Sequence, residues 1–330
     1  MNNSNEVNWD EAVWKEINDA VVAEVGKVRV AQKVTTTTPP DGNPTEIPND
    51  VINFADLSIQ EGKTKSFVEI YQEFPLTATQ VNREPQIKTC KALARMAAKA
   101  IALAEDTIIF QGKNGQLPAN VQTELRDAAE TGLLGAANPG KPNLPDDGNA
   151  NRVSEPIDVD LTSRPGVLWG ENLFSAVAEG VYKLTAKAQA KPFALFLPVK
   201  AYADTYVPPG PASLVTTAER IKPLVEGGFH CTSTLPPDRG LLVALAGDPT
   251  SLNVGREATA EFVRKAGAKY FFRVVERLQF VARDPRAFVL LKLEQPGATA
   301  RPVAKGGPRS RGGKAKETHA DLEQGEKQTS

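Results

Sequence analysis

The chain has 330 residues, 41% of them hydrophobic and 24% charged, and a formal net charge of −1. That length predicts two domains or one large one with insertions, and that composition supplies a sizeable core and excludes wholesale disorder. The near-zero balance argues against a protein built mainly to hold nucleic acid. The charge is uneven, however: residues 298–330 carry 7 Lys and Arg against 4 Asp and Glu, a net +3, which leaves −4 for the rest.

The opening MNNSNEVNWDEAVWKE is polar and acidic, without the basic start and apolar core of a signal peptide. No apolar run approaches roughly 18 residues, so no membrane span is expected. Residues 7–25 predict an amphipathic helix with Trp14, Ile17, Val21 and Val25 on one side, Val13 and Ala20 beside them, and Gly26 closing it. Asp10, Glu11, Glu16 and Asp19 take the polar side or the first turn, where they suit the helix dipole. Residues 35–50, TTTTPPDGNPTEIPND, read as a loop. Residues 66–81 read as a strand: Val68, Ile70, Gln72 and Phe74 alternate with Phe67, Glu69, Tyr71 and Glu73, as in a ribbon that leaves the domain body.

A long helix is predicted over 86–111, with Ile87, Cys90, Ala94, Ala97, Ile101, Ala104 and Ile108 on one stripe and a stop at Gly112. Small residues dominate that stripe, so another backbone can approach closely. Glu105 and Asp106 are adjacent on this helix without facing each other and read as structural. Cys90 and Cys231 read as small buried hydrophobes rather than a disulfide framework, which fits a cytosolic location.

Residues 138–166 are rich in Pro, Asn, Asp and Gly and form a long exposed connection. A helix over 171–188 buries Phe174, Val177, Val181 and Leu184. A strand at 193–197, a short helix at 200–206, a tight PPGP loop, a helix at 215–225 weakened by Pro223, and a strand at 241–246 buried on both faces follow. In 260–293, Tyr270, Phe272, Val274, Leu278 and Phe280 alternate, RDPR turns, and AFVLLKL is expected to be the partner strand of a terminal hairpin. From Gly297 the composition predicts a disordered tail.

The order and spacing of these landmarks carry a resemblance. WDEAVWKEI, FVEIYQEFPLTATQVN, ALAEDTIIFQG, TGLLGAA, PFALFLPVKAYADTY, LVEGGFHCTSTL, LLVAL and RLQFVARDPRAFVLLKL occur in one sequence over residues 7–293. Together they resemble the encapsulin shell proteins, of the family 1 or linocin-like type. The resemblance implies an α+β fold of the HK97 tailed-phage capsid type with a peripheral domain, an axial domain and an extended loop. Carried onto this sequence, it divides the chain into an N-terminal helix and arm at 1–34, an extended-loop region at 35–85, and a peripheral domain with the spine helix at 86–137. An exposed insertion at 138–169, a mainly axial domain at 170–250, a return to the peripheral domain at 251–296 and a tail at 297–330 complete it.

It also implies many copies closing into an icosahedral cytoplasmic nanocompartment around a cargo enzyme, commonly a peroxidase, a ferritin-like or a hemerythrin-like protein, held through a short C-terminal targeting peptide. The candidate cargo dock is the first-helix face, Trp9, Val13, Ile17, Arg29 and Lys33, since apolar side chains beside fixed charges suit a short amphipathic peptide. The plain alternative is that this face simply packs on the spine helix. The family often has an acidic residue after the basic one here, where this chain has Gln32 and Lys33.

Pro208, Pro209, Gly210, Pro211, Ala212 and Ser213 resemble the loop lining the fivefold pore; uncharged, they make an unselective opening, or else an ordinary surface turn. Some members bind flavin on an aromatic near the extended loop; residues 61–65, EGKTK, have none, so no flavin is expected, and no other cofactor or metal. His230 reads as a satisfied core residue, and His319 lies in the tail. Without a catalytic triad, P-loop or metal cluster, the chain reads as no enzyme, and a soluble hydrolase is the weakest alternative. The stronger alternative is a phage major capsid protein packaging DNA. The start of the first helix within about ten residues, with no scaffolding segment before it, favours the compartment. The basic tail, with RGG at 311–313, reads as solvated rather than as a nucleic-acid binder, and no membrane partner is expected.

Overall fold

Asp10 starts the first helix: its side chain accepts the Val13 N–H at 2.9 Å and caps α1, Glu11–Val28. The computed structural model describes residues 7–38, 45–53, 56–130, 132–138, 153–164, 166–208 and 215–296. Gly26 does not end α1 as the sequence suggests. The helix runs on and is capped at Arg29, because Val25 and Val28 still face the core. A single turn of 3-10 helix, Ala31–Val34, follows, and then β1, Thr36–Thr38.

The expected loop at 35–50 therefore holds two strands, β1 and β2, Glu46–Pro48. Beyond them come β3, Val51–Asn53, β4, Ser58–Gln60, and β5, Thr64–Ser66. β2 pairs antiparallel with β5 and β3 with β4, and Asn49 N–H donates to the Lys63 carbonyl at 2.8 Å, so one narrow hairpin arm spans 46–66. Its root is fixed by Ile47 packing with Phe67 and Val281.

β6, Val68–Thr77, is no ribbon leaving the body. It is paired on both sides, which satisfies its backbone groups and buries Val68, Ile70, Phe74 and Leu76. Its sheet runs β1, β12 (Thr250–Ala266), β13 (Lys269–Ala282), β6, β7 (Gln122–Glu124). β1 joins β12 in parallel; the other pairings are antiparallel. After β6, α2 (Ala78–Asn82) and α3 (Glu84–Ile87) turn the chain, and Lys88 takes a left-handed conformation. That kink excludes Ile87 from the long stripe and leaves it exposed.

The long helix is α4, Thr89–Gln111, and it ends on Gly112 at φ 65°. Its buried line is Cys90, Ala94, Ala97, Ala98, Ile101, Ala102, Ala104 and Ile108, and the small residues let α1 lie close beside it. α5, Gly132–Ala136, comes from the TGLLGAA landmark. Gly132 has φ +59°, and a Cβ there would meet Gly112 N at 2.5 Å and the Ile109 carbonyl at 2.8 Å, so only glycine fits against the end of α4.

The second five-stranded sheet runs β10 (Gly228–Thr232), β9 (Phe193–Pro198), β11 (Arg239–Ala244), β14 (Phe288–Leu293), β8 (Ile157–Val159). β11 lies at its centre and is buried, as its unbroken apolar run predicts. β14 is not the hairpin partner of β13: it pairs with β11 and β8, and β13 finds its partner in β12, for which the sequence had no reading before residue 260. Covering this sheet is α6, Gly170–Ala186, which buries Leu173, Ala176, Val177, Gly180 and Leu184. α7, Val199–Asp204, and α8, Thr217–Ile221, complete the fold, with Pro223 opening a 3-10 turn after α8. Cys90 is buried, as expected, but Cys231 on the edge strand β10 is only half-buried.

Candidate functional site

α1 lies in the groove between α4 and β12, and its two ends are held by different chemistry. At the N-terminal end Trp9 stacks on Phe272 with ring centroids 5.1 Å apart and planes 15° apart, Trp14 tilts against both, and the Trp9 Nε1–H donates to the Val81 carbonyl at 2.8 Å. Phe74 and Phe262 also pack on Phe272 and extend this aromatic nest. In the middle of the helix, Asn18 Oδ1 accepts the Ala260 N–H of β12 at 2.8 Å.

The C-terminal end of α1 closes over buried charge. Arg29 forms ion pairs with Glu105 of α4 and Glu276 of β13 and lies 3.6 Å from Glu257 of β12. Gln32 Nε2–H donates to Glu105 at 2.8 Å, and Asp106 accepts the Val30 and Ala31 N–H groups, both at 2.9 Å. Asp106 thereby caps the 3-10 turn after α1 across the helix pair. Glu105, Asp106 and Glu276 are fully buried, and together they outnumber Arg29, the one buried cation among the described residues.

Burial therefore pushes Glu276 up to about 7 and Asp106 up to about 6, while Glu105 rises well above the ordinary carboxylate range through burial and the neighbouring Glu276. Burial opposes the Arg29 charge, but Glu276, Glu105 and Glu257 outweigh it and raise its pKa. Carboxyls that hold protons more tightly when folded favour the folded state at low pH. That contribution is complete below their ordinary pKa near 4.5 and is lost as pH rises through about 7. Glu276→Gln fixes the neutral form. The decline of Tm from about pH 5 to about pH 8 is expected to be shallower in that variant than in the parent, read by differential scanning calorimetry. Parallel curves would exclude Glu276 as a titrating group.

Along the flank between these ends runs a second set of charges. Glu16 is held by Lys88 and by Lys91, the latter at 2.8 Å. Glu24 receives the Arg95 Nη2–H at 2.8 Å and the Arg95 Nε–H at 3.1 Å, with Lys99 at 3.4 Å and Lys27 at 3.6 Å. The shared cations hold Glu16 down to about 2 and Glu24 below the usual range.

The five residues expected to form one dock are not brought together. Ile17 is buried in the core and Arg29 in the ion cluster, so neither can meet a partner. Trp9 and Val13 are half-buried, with the Trp9 indole committed to Phe272 and Val81, and Lys33 is exposed. An 18-residue helix is ~27 Å long, so Trp9 and Lys33 stand at opposite ends of it. Of the pore-loop candidates, Pro208 ends the described stretch, and Pro209, Gly210, Pro211, Ala212 and Ser213 lie outside the described residues, as does His319.

His230 is not a satisfied core residue. It stacks on Phe196 at 5.3 Å on the half-buried edge strand, its Nε2 is buried without a hydrogen-bond partner, and burial lowers its pKa. Among the described residues no group of three or more His, Cys, Asp or Glu is arranged to hold a metal, and no helix is long and apolar enough to cross a membrane.

Sequence reading missed the flank charges and the ion cluster. Lys91, Arg95 and Lys99 recur every four residues and Glu16 and Glu24 every eight, a spacing that marks one edge of each helix. Nothing local marks Arg29, Glu105 and Glu276 as partners.

A family described as "encapsulating protein for peroxidase" matches residues 161–279. No curated protein matches the sequence. Among solved structures the chain is similar to the virus-like particle from Pyrococcus furiosus, with TM-score 0.59, 17% identity, and coverage of 86% of this chain and 100% of that one. It is similar to the holo-SrpI encapsulin complex from Synechococcus elongatus PCC 7942, with TM-score 0.51, 11% identity, and coverage of 88% and 93%. It is also similar to the mature capsid of bacteriophage PhiM1, with TM-score 0.52, 9% identity, and coverage of 81% and 88%. The fold is thus the α+β, HK97-type capsid fold common to encapsulins and tailed-phage capsids. The match to that family over residues 161–279 and the capsid-type fold agree with the resemblance carried by the sequence landmarks.

Proposed function

We propose that this chain is the structural subunit of a closed icosahedral protein compartment in the cytoplasm, which packages a cargo protein and does no chemistry itself. The observation that carries the reading is the fold match along the whole length of a virus-like particle subunit, joined to a family description that names encapsulation of a peroxidase. A peroxidase is accordingly the first cargo to test, with a ferritin-like or hemerythrin-like protein next, docked through a short C-terminal peptide on the α1 side of the subunit. In this reading the first sheet with α4 forms the peripheral domain and much of 170–250 the axial domain.

The arm supports assembly. A lone two-stranded hairpin is marginal in water. This one also carries Leu57 at 77% and Ile59 at 56% exposure near its tip, an apolar end that a second copy would cover. Closed symmetry covers every such tip at once.

The test is size-exclusion chromatography with negative-stain microscopy of the chain expressed alone, beside Leu57→Asp/Ile59→Asp. Uniform hollow particles are expected for the parent. The variant should give monomers or small oligomers with a Tm within a few degrees of the parent's subunit transition, since exposed substitutions cost about 0.5 kcal/mol or less. A parent that stays monomeric sinks the shell reading. Particles filled with DNA would favour the phage-capsid alternative, to which the PhiM1 likeness lends weight.

A further inference from the structure

The flank where α1 meets α4 carries more positive charge than its own carboxylates neutralise. Lys27, Lys88, Lys91, Arg95 and Lys99 surround Glu16 and Glu24, and buried Glu84 accepts the Lys91 backbone N–H behind them, so five cations meet three anions, a net +2. Glu24 lies buried behind its three cations, with 6% of its side chain exposed, while Arg95, Lys99 and Lys27 reach outward at 49, 57 and 66%. Each lysine has three donors and the arginine five, so the row keeps hydrogen-bonding capacity after its internal pairs are made. The other face of α1 does not share this excess, since Lys15 is paired one to one with Asp19 at 2.6 Å.

We propose that this strip docks a carboxylate-rich peptide segment of a partner protein. The proposal deepens the docking part of the function above and rests on it only in taking the packaged protein as that partner. Lys91, Arg95 and Lys99 lie at successive i, i+4 positions, ~6 Å apart along the helix axis. An acidic helical segment with Glu or Asp at i, i+4 and i+8 repeats the same ~6 Å spacing and can lie alongside with each carboxylate over one cation. A nucleic acid fits less well. The row from Lys88 to Lys99 is only ~16 Å long, short for the run of phosphate contacts that gives a nucleic acid its affinity.

The experiment is fluorescence anisotropy of a labelled helical peptide with glutamates at every fourth position, titrated with the full-length protein. The same peptide with lysines in place of glutamates, and a single-stranded oligonucleotide of equal negative charge, serve as comparison probes. Binding of the acidic peptide should weaken at least about tenfold in Arg95→Gln/Lys99→Gln and again when salt is raised from about 50 to about 300 mM, because exposed pairs are screened. Lys15→Gln should leave it unchanged. Lys27→Gln alone, which leaves Arg95 and Lys99 on Glu24, should weaken it about threefold and serves if the double variant fails to fold. Equal binding by strip variants and parent, no binding at low salt, or tighter strip-dependent binding of the oligonucleotide each overturns the proposal. Negative-stain images of the same samples separate the two readings. Particles without peptide binding remove this dock and leave the shell. Strip-dependent peptide binding without particles keeps the dock and removes the shell.

Discussion

Arg29→Met is expected to lower Tm by roughly 10 °C, corresponding to about 3–5 kcal/mol, because it leaves buried carboxylates without their cation. Glu105 and Glu276 face Arg29 from different elements and are fully buried. Once the guanidinium is gone, each must stay charged without a partner or take up a proton, and both cost free energy at neutral pH. The loss should therefore shrink at about pH 5, where protons are available, and grow toward about pH 8. The triple variant Arg29→Met/Glu105→Gln/Glu276→Gln should recover most of the stability, since neutral amides of similar volume need no cation. Calorimetry of the three proteins at both pH values checks this. A single variant whose loss does not vary with pH, or a triple variant no better than the single one, would show that Arg29 acts through packing alone. α1 is held at this end by that cluster and by the Asp106 bonds to Val30 and Ala31. The variant should also expose the α1–α4 seam, giving faster hydrogen exchange over 11–34 than over the second sheet.

Asp204→Ala is expected to cost about 3 kcal/mol and to act on the other half of the molecule. Oδ1 of Asp204 accepts the Leu168 N–H at 2.7 Å, and Oδ2 accepts Trp169 N–H at 2.9 Å and Gly170 N–H at 2.8 Å. Those are backbone donors at the start of α6, where Trp169 supplies no side-chain cap of its own. One buried carboxylate at the end of α7 therefore caps α6 across the fold and fixes Trp169, which is fully buried with its Nε1–H on the Glu294 carbonyl at 2.9 Å. Without it three N–H groups lose their acceptor. Asp204→Asn keeps one acceptor oxygen and should lose about half as much. Urea midpoints, followed by Trp fluorescence, test the order wild type, Asn, Ala; an Asn variant as unstable as the Ala variant would show that the charge, not the acceptor geometry, matters.

What the sequence disclosed depended on how locally each feature is written. α1, α4 and α6 show their 3.6-residue period, and Gly112 announces the end of α4. β11 shows an unbroken apolar run because both its faces are covered. β12 escaped reading before residue 260 because its pairing with β13 shifts between Val254 and Arg256, between Arg256 and Thr259, and between Phe262 and Arg264. Each shift moves the buried face by a residue and erases the alternation that marks a strand. β14 was recognised as a strand but given the wrong neighbour, since alternation shows which face is buried and not what pairs along the edge.

At the site, the apolar seam of α1 was readable, and the assignment of Ile17 and Arg29 to a docking surface was not sound. Ile17 belongs to that seam, and a basic residue just past a helix end looks solvent-bound until the fold places Glu276 beside it. The flank cations were legible in their four-residue spacing, though their excess over Glu16 and Glu24 emerges only when two helices are laid side by side.

The strand Thr36–Thr38 has a consequence for how the chain comes to be made. It closes the first sheet by pairing with Ser251–Asn253, and Arg29 finds Glu276 across 247 residues of sequence. The centre of the second sheet likewise waits for Phe288–Leu293. Helices α1 and α4 can meet while the chain is still emerging from the ribosome, but neither sheet can be completed until synthesis has passed residue 282 for one and residue 293 for the other. Contacts of such long separation form slowly. β1 and Arg29 thus stay without their partners until residues 251 and 276 have been made, so the N-terminal segment cannot be fixed on the first sheet before then.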